Sequence, residues 1–130
     1  KHICNSHVRS VDISSQFKLG GTSVIFGGKF SAENWYQVIE QNQVTIWYTA
    51  PTAIRMLMGA DVQPKNFNLK SLRHIASVGE PLNPEAIWWA LETIGLPFHD
   101  TWWQTETGSM AIVNYPVLNI KPGSMGKPFP

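Results

Sequence analysis

Short apolar runs of strand type alternate with stretches of helical spacing along most of this chain. Thr22-Ser23-Val24-Ile25-Phe26 is β-branched and aromatic, and a glycine pair bounds it on each side, which predicts a strand. Ser31 then precedes Ala32-Glu33-Asn34, with Trp35, Val38 and Ile39 on one face. A serine at the cap and a carboxylate in the first turn predict a helix that runs to about Gln41 or Asn42. Val44–Tyr48 predicts a second buried strand, Thr49-Ala50-Pro51 a turn, and Thr52–Met58 a helix that Gly59 ends. Asp61 to Lys70 is polar and reads as a loop. Leu72 to Val78 predicts a third strand, closed by Gly79-Glu80-Pro81. Asn83-Pro84-Glu85 opens a helix with proline at its first position; Ile87, Leu91 and Ile94 recur at helical spacing, and Gly95 stops it. Phe98 to Trp103 predicts a fourth strand and Ala111-Ile112-Val113 a fifth, before a proline- and glycine-rich loop from Lys121 to Pro130.

Strand, helix, strand, helix, strand, helix, strand is the pattern of parallel βαβ units, so the expected fold class is α/β. The first residues fit it least. Lys1 to Gln16 is weakly patterned, with alternation in His7 to Ile13 that would suit a short exposed strand. A length of 130 residues fits one modest domain with one core. The net charge of +1, with no basic run, argues against a nucleic-acid or anionic-membrane partner. The lone Cys4 excludes an intrachain disulfide and agrees with a reducing, cytoplasmic setting. No apolar run reaches the roughly 18 residues that span a bilayer, and no signal peptide is visible. The chain starts and stops in mid-pattern, so we expect an internal piece of a longer protein, with residues 1–130 forming one partial domain and 1–17 atypical.

Three turns carry candidate chemistry, and each has a plainer reading. Gly79-Glu80-Pro81 follows a strand; the glycine would let the backbone approach a flat ring, while the plainer alternative is a turn with Glu80 merely exposed. In Asp100-Thr101-Trp102-Trp103-Gln104-Thr105-Glu106, the hydroxyls of Thr101 and Thr105 and the amide of Gln104 could meet phosphate oxygens. Glu106 is a hard oxygen ligand suited to Mg²⁺, and the two indoles could shape a pocket. The alternative is that both tryptophans are core and both carboxylates solvated. Thr49-Ala50-Pro51-Thr52 closes another strand end on the same rim, or is simply a helix cap at Thr49 or Thr52. Two further motifs fail. Gly126-Lys127 is followed by Pro128, where a phosphate loop needs Ser or Thr. His2, Cys4 and His7 are too few for a closed zinc site, and a loose terminal segment is the better expectation.

The ordered runs Tyr48-Thr49-Ala50-Pro51-Thr52-Ala53-Ile54-Arg55, Ser77-Val78-Gly79-Glu80-Pro81-Leu82-Asn83-Pro84-Glu85 and Asp100-Thr101-Trp102-Trp103-Gln104-Thr105-Glu106-Thr107-Gly108 resemble the adenylate-forming family. That family holds acyl-CoA synthetases, luciferases and peptide-synthetase adenylation domains. Lys121-Pro122-Gly123-Ser124-Met125-Gly126-Lys127-Pro128 fits the same pattern, the likeness covers about Gly20 to Pro130, and the double tryptophan resembles the acetyl-CoA synthetase branch.

The resemblance implies a piece of the large N-terminal domain of an acid–CoA ligase. Such enzymes join a carboxylate to ATP, giving an acyl-adenylate and pyrophosphate, and pass the acyl group to CoA. By position, Gly79, Glu80 and Pro81 would line the adenine site. Asp100, Thr101, Trp102, Trp103, Gln104 and Thr105 would surround AMP, with Thr105 near the α-phosphate. Glu106 would hold Mg²⁺, and Val78 and Trp103 would wall the acyl pocket. The small-molecule partners implied are acetate, ATP and CoA, beside the remainder of the parent chain. The family's Gly/Ser/Thr-rich phosphate loop, its ribose-gripping aspartate and its catalytic lysine are not in these residues, and the lysine is expected downstream. The 130 residues alone are therefore expected to be inactive. A non-catalytic remnant that only binds nucleotide or only folds is the alternative; a dinucleotide oxidoreductase is disfavoured because no Gly-x-Gly-x-x-Gly follows a strand.

Overall fold

A computed structural model of the chain describes residues 2–4, in their backbone, and 20–130. The expected strand at His7 to Ile13 lies outside the described residues. In chain order the elements are β1 (His2–Cys4), β2 (Ser23–Ile25), α1 (Ala32–Asn42), β3 (Ile46–Thr49), α2 (Pro51–Met58), β4 (His74–Ser77), α3 (Pro84–Thr93), β5 (Phe98–Trp103), β6 (Met110–Val113) and β7 (Lys127–Pro128). They form a seven-stranded sheet in the order β2-β1-β3-β4-β5-β6-β7.

The pairs β3–β4 and β4–β5 are parallel, as the βαβ pattern predicts, and β2–β1 and β1–β3 are parallel as well. The sheet then changes character: β6 pairs antiparallel with β5, and β7 antiparallel with β6. So part of the expected terminal loop is a short edge strand. The expectation of a loose start also needs correcting. His2–Cys4 sits inside the sheet, with Ile3 opposite both Val24 and Trp47.

Register sorts the strand residues into two faces. Trp47, Ile75 and Phe98 stand in one cross-strand row. All three are fully buried, and they join Trp35, Tyr36 and Ile39 of α1, Ile54 and Leu57 of α2, and Ala86, Ile87 and Ala90 of α3 in one core. The helices therefore cover that face. The next row, Tyr48, Ala76 and His99, faces the other way, where Tyr48 and Ala76 form a small second cluster with Val78 and Met110. Among the described residues no helix enters that cluster.

Local chemistry explains the helix starts. Ser31 Oγ accepts the Asn34 amide at 3.2 Å, as its place before an apolar-periodic run predicts. The cap of α2 is Ala50, not Thr49 or Thr52, and Pro51 opens the helix without needing an amide partner. Asn83 and Pro84 open α3 as expected.

One stability prediction arises from the second face. The rings of His74 and His99 lie 4.6 Å apart between centroids, and the His99 Nδ1–H donates to the Asn114 carbonyl at 3.0 Å. Burial, then the His99 and Arg73 charges, push His74 down from 6.5 to about 4; burial also lowers His99. A folded-state pKa below the unfolded one means that the unfolded chain binds more protons. Stability is then highest above about pH 6.5 and is lost as pH falls toward 4, by on the order of 2 kcal/mol. Urea unfolding midpoints between pH 7 and 4 measure this, and His74→Gln is expected to flatten most of the decline. An equal decline in that variant would show that another group titrates.

Candidate nucleotide and acyl site

Because β3, β4 and β5 run parallel, their carboxyl ends share one edge, and the residues Thr49, Ser77 and Asp100 stand abreast there. The Gly79 motif lies in a loop that leaves this edge, the Thr49 motif runs from the end of β3 into α2, and the Asp100 motif begins in β5 and runs into the loop beyond it. Gly79 has φ +101°, and a Cβ built on it would meet nothing within 4 Å, so the backbone faces open space.

Two anchors hold the turn that follows. Glu80 is fastened to α2: Thr52 Oγ1 donates to its Oε1 at 2.6 Å and an Arg55 N–H to its Oε2 at 2.5 Å, while Arg55 also reaches Thr52 at 2.9 Å. The Thr52 hydroxyl, then Arg55, hold the Glu80 carboxyl below its usual range. Thr52 thus serves the turn rather than the helix cap. The second anchor is Asp100. It is buried, its Oδ1 accepts the Ser77 hydroxyl at 2.7 Å, and its Oδ2 accepts the Leu82 amide at 3.4 Å. Burial raises its pKa despite these bonds.

The alternative of two solvated carboxylates and two core indoles is therefore wrong in detail. Asp100 is buried and Glu106 exposed, while Trp102 and Trp103 are both half-buried; the core indoles are Trp35 and Trp47. Thr101 needs a further correction. Its hydroxyl is buried and donates to the Ser77 carbonyl at 2.8 Å, so it cannot also offer that proton to a phosphate. Gln104, Thr105 and Glu106 are exposed beyond the strand end, where Thr105–Thr107 forms a short 3₁₀ turn. The Thr107 hydroxyl accepts the Gln104 amide at 3.0 Å, and Gly108 at φ +67° closes the turn. Among the described residues no three metal-binding side chains gather. Glu106 therefore fits Mg²⁺ only as a single carboxylate beside substrate phosphates, an arrangement this ion accepts.

On the other face, Val78 packs against Tyr48 and Ala76 with Met110, and the Trp103 indole Nε1–H donates to the Tyr48 hydroxyl at 3.2 Å. The two residues expected to wall an acyl pocket thus meet a common neighbour, Tyr48. A cavity of about 510 Å³ also opens beside the Glu80 turn, lined in part by Phe26, Phe30, Trp35, Thr52 and Met56. None of residues 100–106 lines it.

Known proteins resemble this chain in sequence and fold. The family described as AMP-binding enzyme matches residues 6–130. The chain belongs to the AMP-binding enzyme family. The match begins upstream of Gly20, so it takes in much of the segment that the motifs leave out. An acetyl-coenzyme A synthetase of Bacillus subtilis is 61% identical over 112 residues, covering 85% of this chain and 20% of the relative. One of Methanothrix thermoacetophila is 50% identical over 119 residues, covering 86% and 18%. The chain therefore spans about a fifth of the length of the curated relatives it matches. Among solved structures, an acyl-CoA synthetase of Brucella canis superposes with a TM-score of 0.76 at 33% identity, over 98% of this chain and 25% of that one. An anthranilate CoA ligase in complex with anthranoyl-AMP gives 0.75 at 32% identity, over 83% and 21%.

Within this AMP-binding fold, sequence reasoning missed the residues that act through others. Ser77 and Arg55 help anchor the turn and Tyr48 holds Trp103, while Thr52, named as a rim or cap residue, instead fastens Glu80. For Tyr48 a signal existed. Alternation along β3 puts Tyr48 on the face opposite Trp47, and so toward Val78.

Proposed function

We propose that this chain is the part of an acetate–CoA ligase that receives AMP and the acyl group. The observation that carries the reading is the shared strand-end edge. From it leave a fastened turn with an open glycine, Gly79-Glu80-Pro81, and a strand end with a half-buried indole, Trp103. The names of the relatives and the acyl-adenylate in a structural neighbour support the same chemistry.

In this reading an acetate oxygen attacks the α-phosphorus of ATP; the new P–O bond forms as the bond to pyrophosphate breaks. The thiol of CoA then attacks the acyl carbon and AMP leaves. This chain's residues bind and orient. The peptide groups of Gly79, Glu80 and Pro81 meet the adenine edge, and Asp100 works from behind by holding that turn. Gln104 and Thr105 face the α-phosphate, where preorganised donors stabilise the charge that develops. Mg²⁺ on Glu106 and the phosphates would neutralise charge on the leaving group. Val78 and Trp103 limit the acid to two or three carbons. The lone Cys4 agrees with a cytoplasmic setting.

Calorimetric titration with AMP and with a non-hydrolysable acetyl-adenylate analogue tests the reading. Binding of both, with the adenylate analogue the tighter, is expected; no binding of either favours a remnant that only folds. The 130 residues alone are expected not to convert acetate, ATP and CoA, since the resemblance puts the catalytic lysine downstream. Turnover by the purified chain would contradict that expectation.

A further inference from the structure

Four polar groups on three strands form a chain whose direction is fixed by counting protons. A threonine hydroxyl has one proton, and Thr101 gives it to the Ser77 carbonyl at 2.8 Å. At 2.7 Å from Tyr48, the Thr101 oxygen must then accept, so Tyr48 donates there. Its own oxygen remains an acceptor for the Trp103 indole, which can only donate, at 3.2 Å. The sequence of bonds is Trp103 to Tyr48 to Thr101 to the carbonyl of Ser77. Tyr48 and Thr101 are buried, where such bonds are stronger than in water.

One end of this chain, Trp103, is a wall of the proposed acyl pocket, and the other adjoins the second wall, Val78. Ser77 immediately precedes Val78, and the Val78 amide donates to the carbonyl of Thr49, the residue after Tyr48, at 3.2 Å. Trp103 sits where the β5–β6 pairing shifts register between Trp102 and Trp103. The extra residue is Ala111 of β6, so the ladder is disrupted beside Trp103 and does not by itself fix a half-buried indole there.

We propose that Tyr48 is a positioning residue that sets the acid chain length the site accepts: its hydroxyl fixes the Trp103 indole and ties it to the strand end that carries Val78. The proposal rests on the reading of Trp103 and Val78 as acyl walls. Tyr48→Phe removes the hydroxyl and keeps the ring.

The measurement is the ratio of kcat/KM for acetate to that for butyrate, in the intact enzyme carrying this segment. Loss of one buried hydrogen bond predicts a fall of roughly five- to tenfold, with KM for ATP unchanged. In a Trp103→Phe background, which lacks the indole donor, Tyr48→Phe is expected to leave the ratio unchanged. Should Tyr48→Phe not accumulate, Thr101→Val removes the acceptor that orients Tyr48 and is expected to lower the ratio in the same sense. Trp103→Gly separates the two levels of the argument. If it shifts the ratio while Tyr48→Phe and Thr101→Val do not, the positioning role is overturned and the acyl wall stands. If Trp103→Gly leaves the ratio unchanged, the wall itself is lost and the proposal with it. A Tyr48→Phe enzyme that loses acetate, butyrate and ATP efficiency in equal measure also overturns it, because that is general loosening.

Discussion

On the proposed acetate–CoA ligase function, Trp103→Gly in the intact enzyme is expected to exchange acetate preference for preference toward longer acids, with butyrate gaining on acetate by on the order of a hundredfold in kcat/KM. The indole is half-buried at the end of β5 and pinned by Tyr48, so no rotamer change is needed to keep it in the way of a longer chain. Removing it leaves room for several methylenes, and each methylene in an apolar pocket is worth roughly 1–3 kcal/mol. Acetate loses its wall in the same step, so its kcat/KM falls while that of butyrate rises. KM for ATP is expected to hold, because the Glu80 turn is fastened by Thr52, Arg55 and Asp100 and by nothing on Trp103. Initial rates with acetate, propionate, butyrate and valerate give the result directly. An unchanged preference for acetate would remove Trp103 from the acyl wall.

The contrast between these residues shows what a sequence reveals. Strands and helices from Ser23 to Val113 were legible because their signals are local: glycine bounds, a serine cap, proline at a first turn, apolar spacing of two or of three to four. The antiparallel end was not. Ala111 to Val113 reads as a strand in either orientation, and only the tight turn over Thr105–Gly108 sends it back along β5. Residues 2–4 were illegible for another reason: a three-residue strand between β1's neighbours is held by pairing on both sides, which its own pattern cannot announce. In the site, the motif residues were legible as chemical types, whereas Thr101 shows the limit. Its hydroxyl looks available in sequence, and only the cross-strand register shows that Ser77 and Tyr48 already engage it.

Asp100→Ala is expected to be the most damaging single change for the turn we propose to hold the nucleotide, costing about 3 kcal/mol of folding stability and, on that proposal, roughly tenfold in AMP affinity. The carboxylate is 4% exposed and is the acceptor for two donors on other segments, the Ser77 hydroxyl and the Leu82 amide. Alanine leaves both without a partner, and an unsatisfied buried donor costs about 1–3 kcal/mol. Relief of a desolvated charge offsets part of this, since burial already pushes Asp100 up. Asp100→Asn separates the two terms: it keeps an oxygen acceptor, drops the charge, and is expected to cost well under half as much. The pH dependence has a definite sign. With the folded-state pKa raised, the folded protein holds this proton more tightly than the unfolded chain does. The stabilisation is complete below about 3.8 and is lost as pH rises through the folded value. The wild type should therefore gain on Asp100→Asn as the solution is acidified from pH 7 toward 4, while the histidine contribution cancels between the two. Urea unfolding at both pH values and AMP titration at pH 7 test this together. An alanine variant that matches the wild type in midpoint and in AMP affinity would mean that Asp100 does not hold the turn.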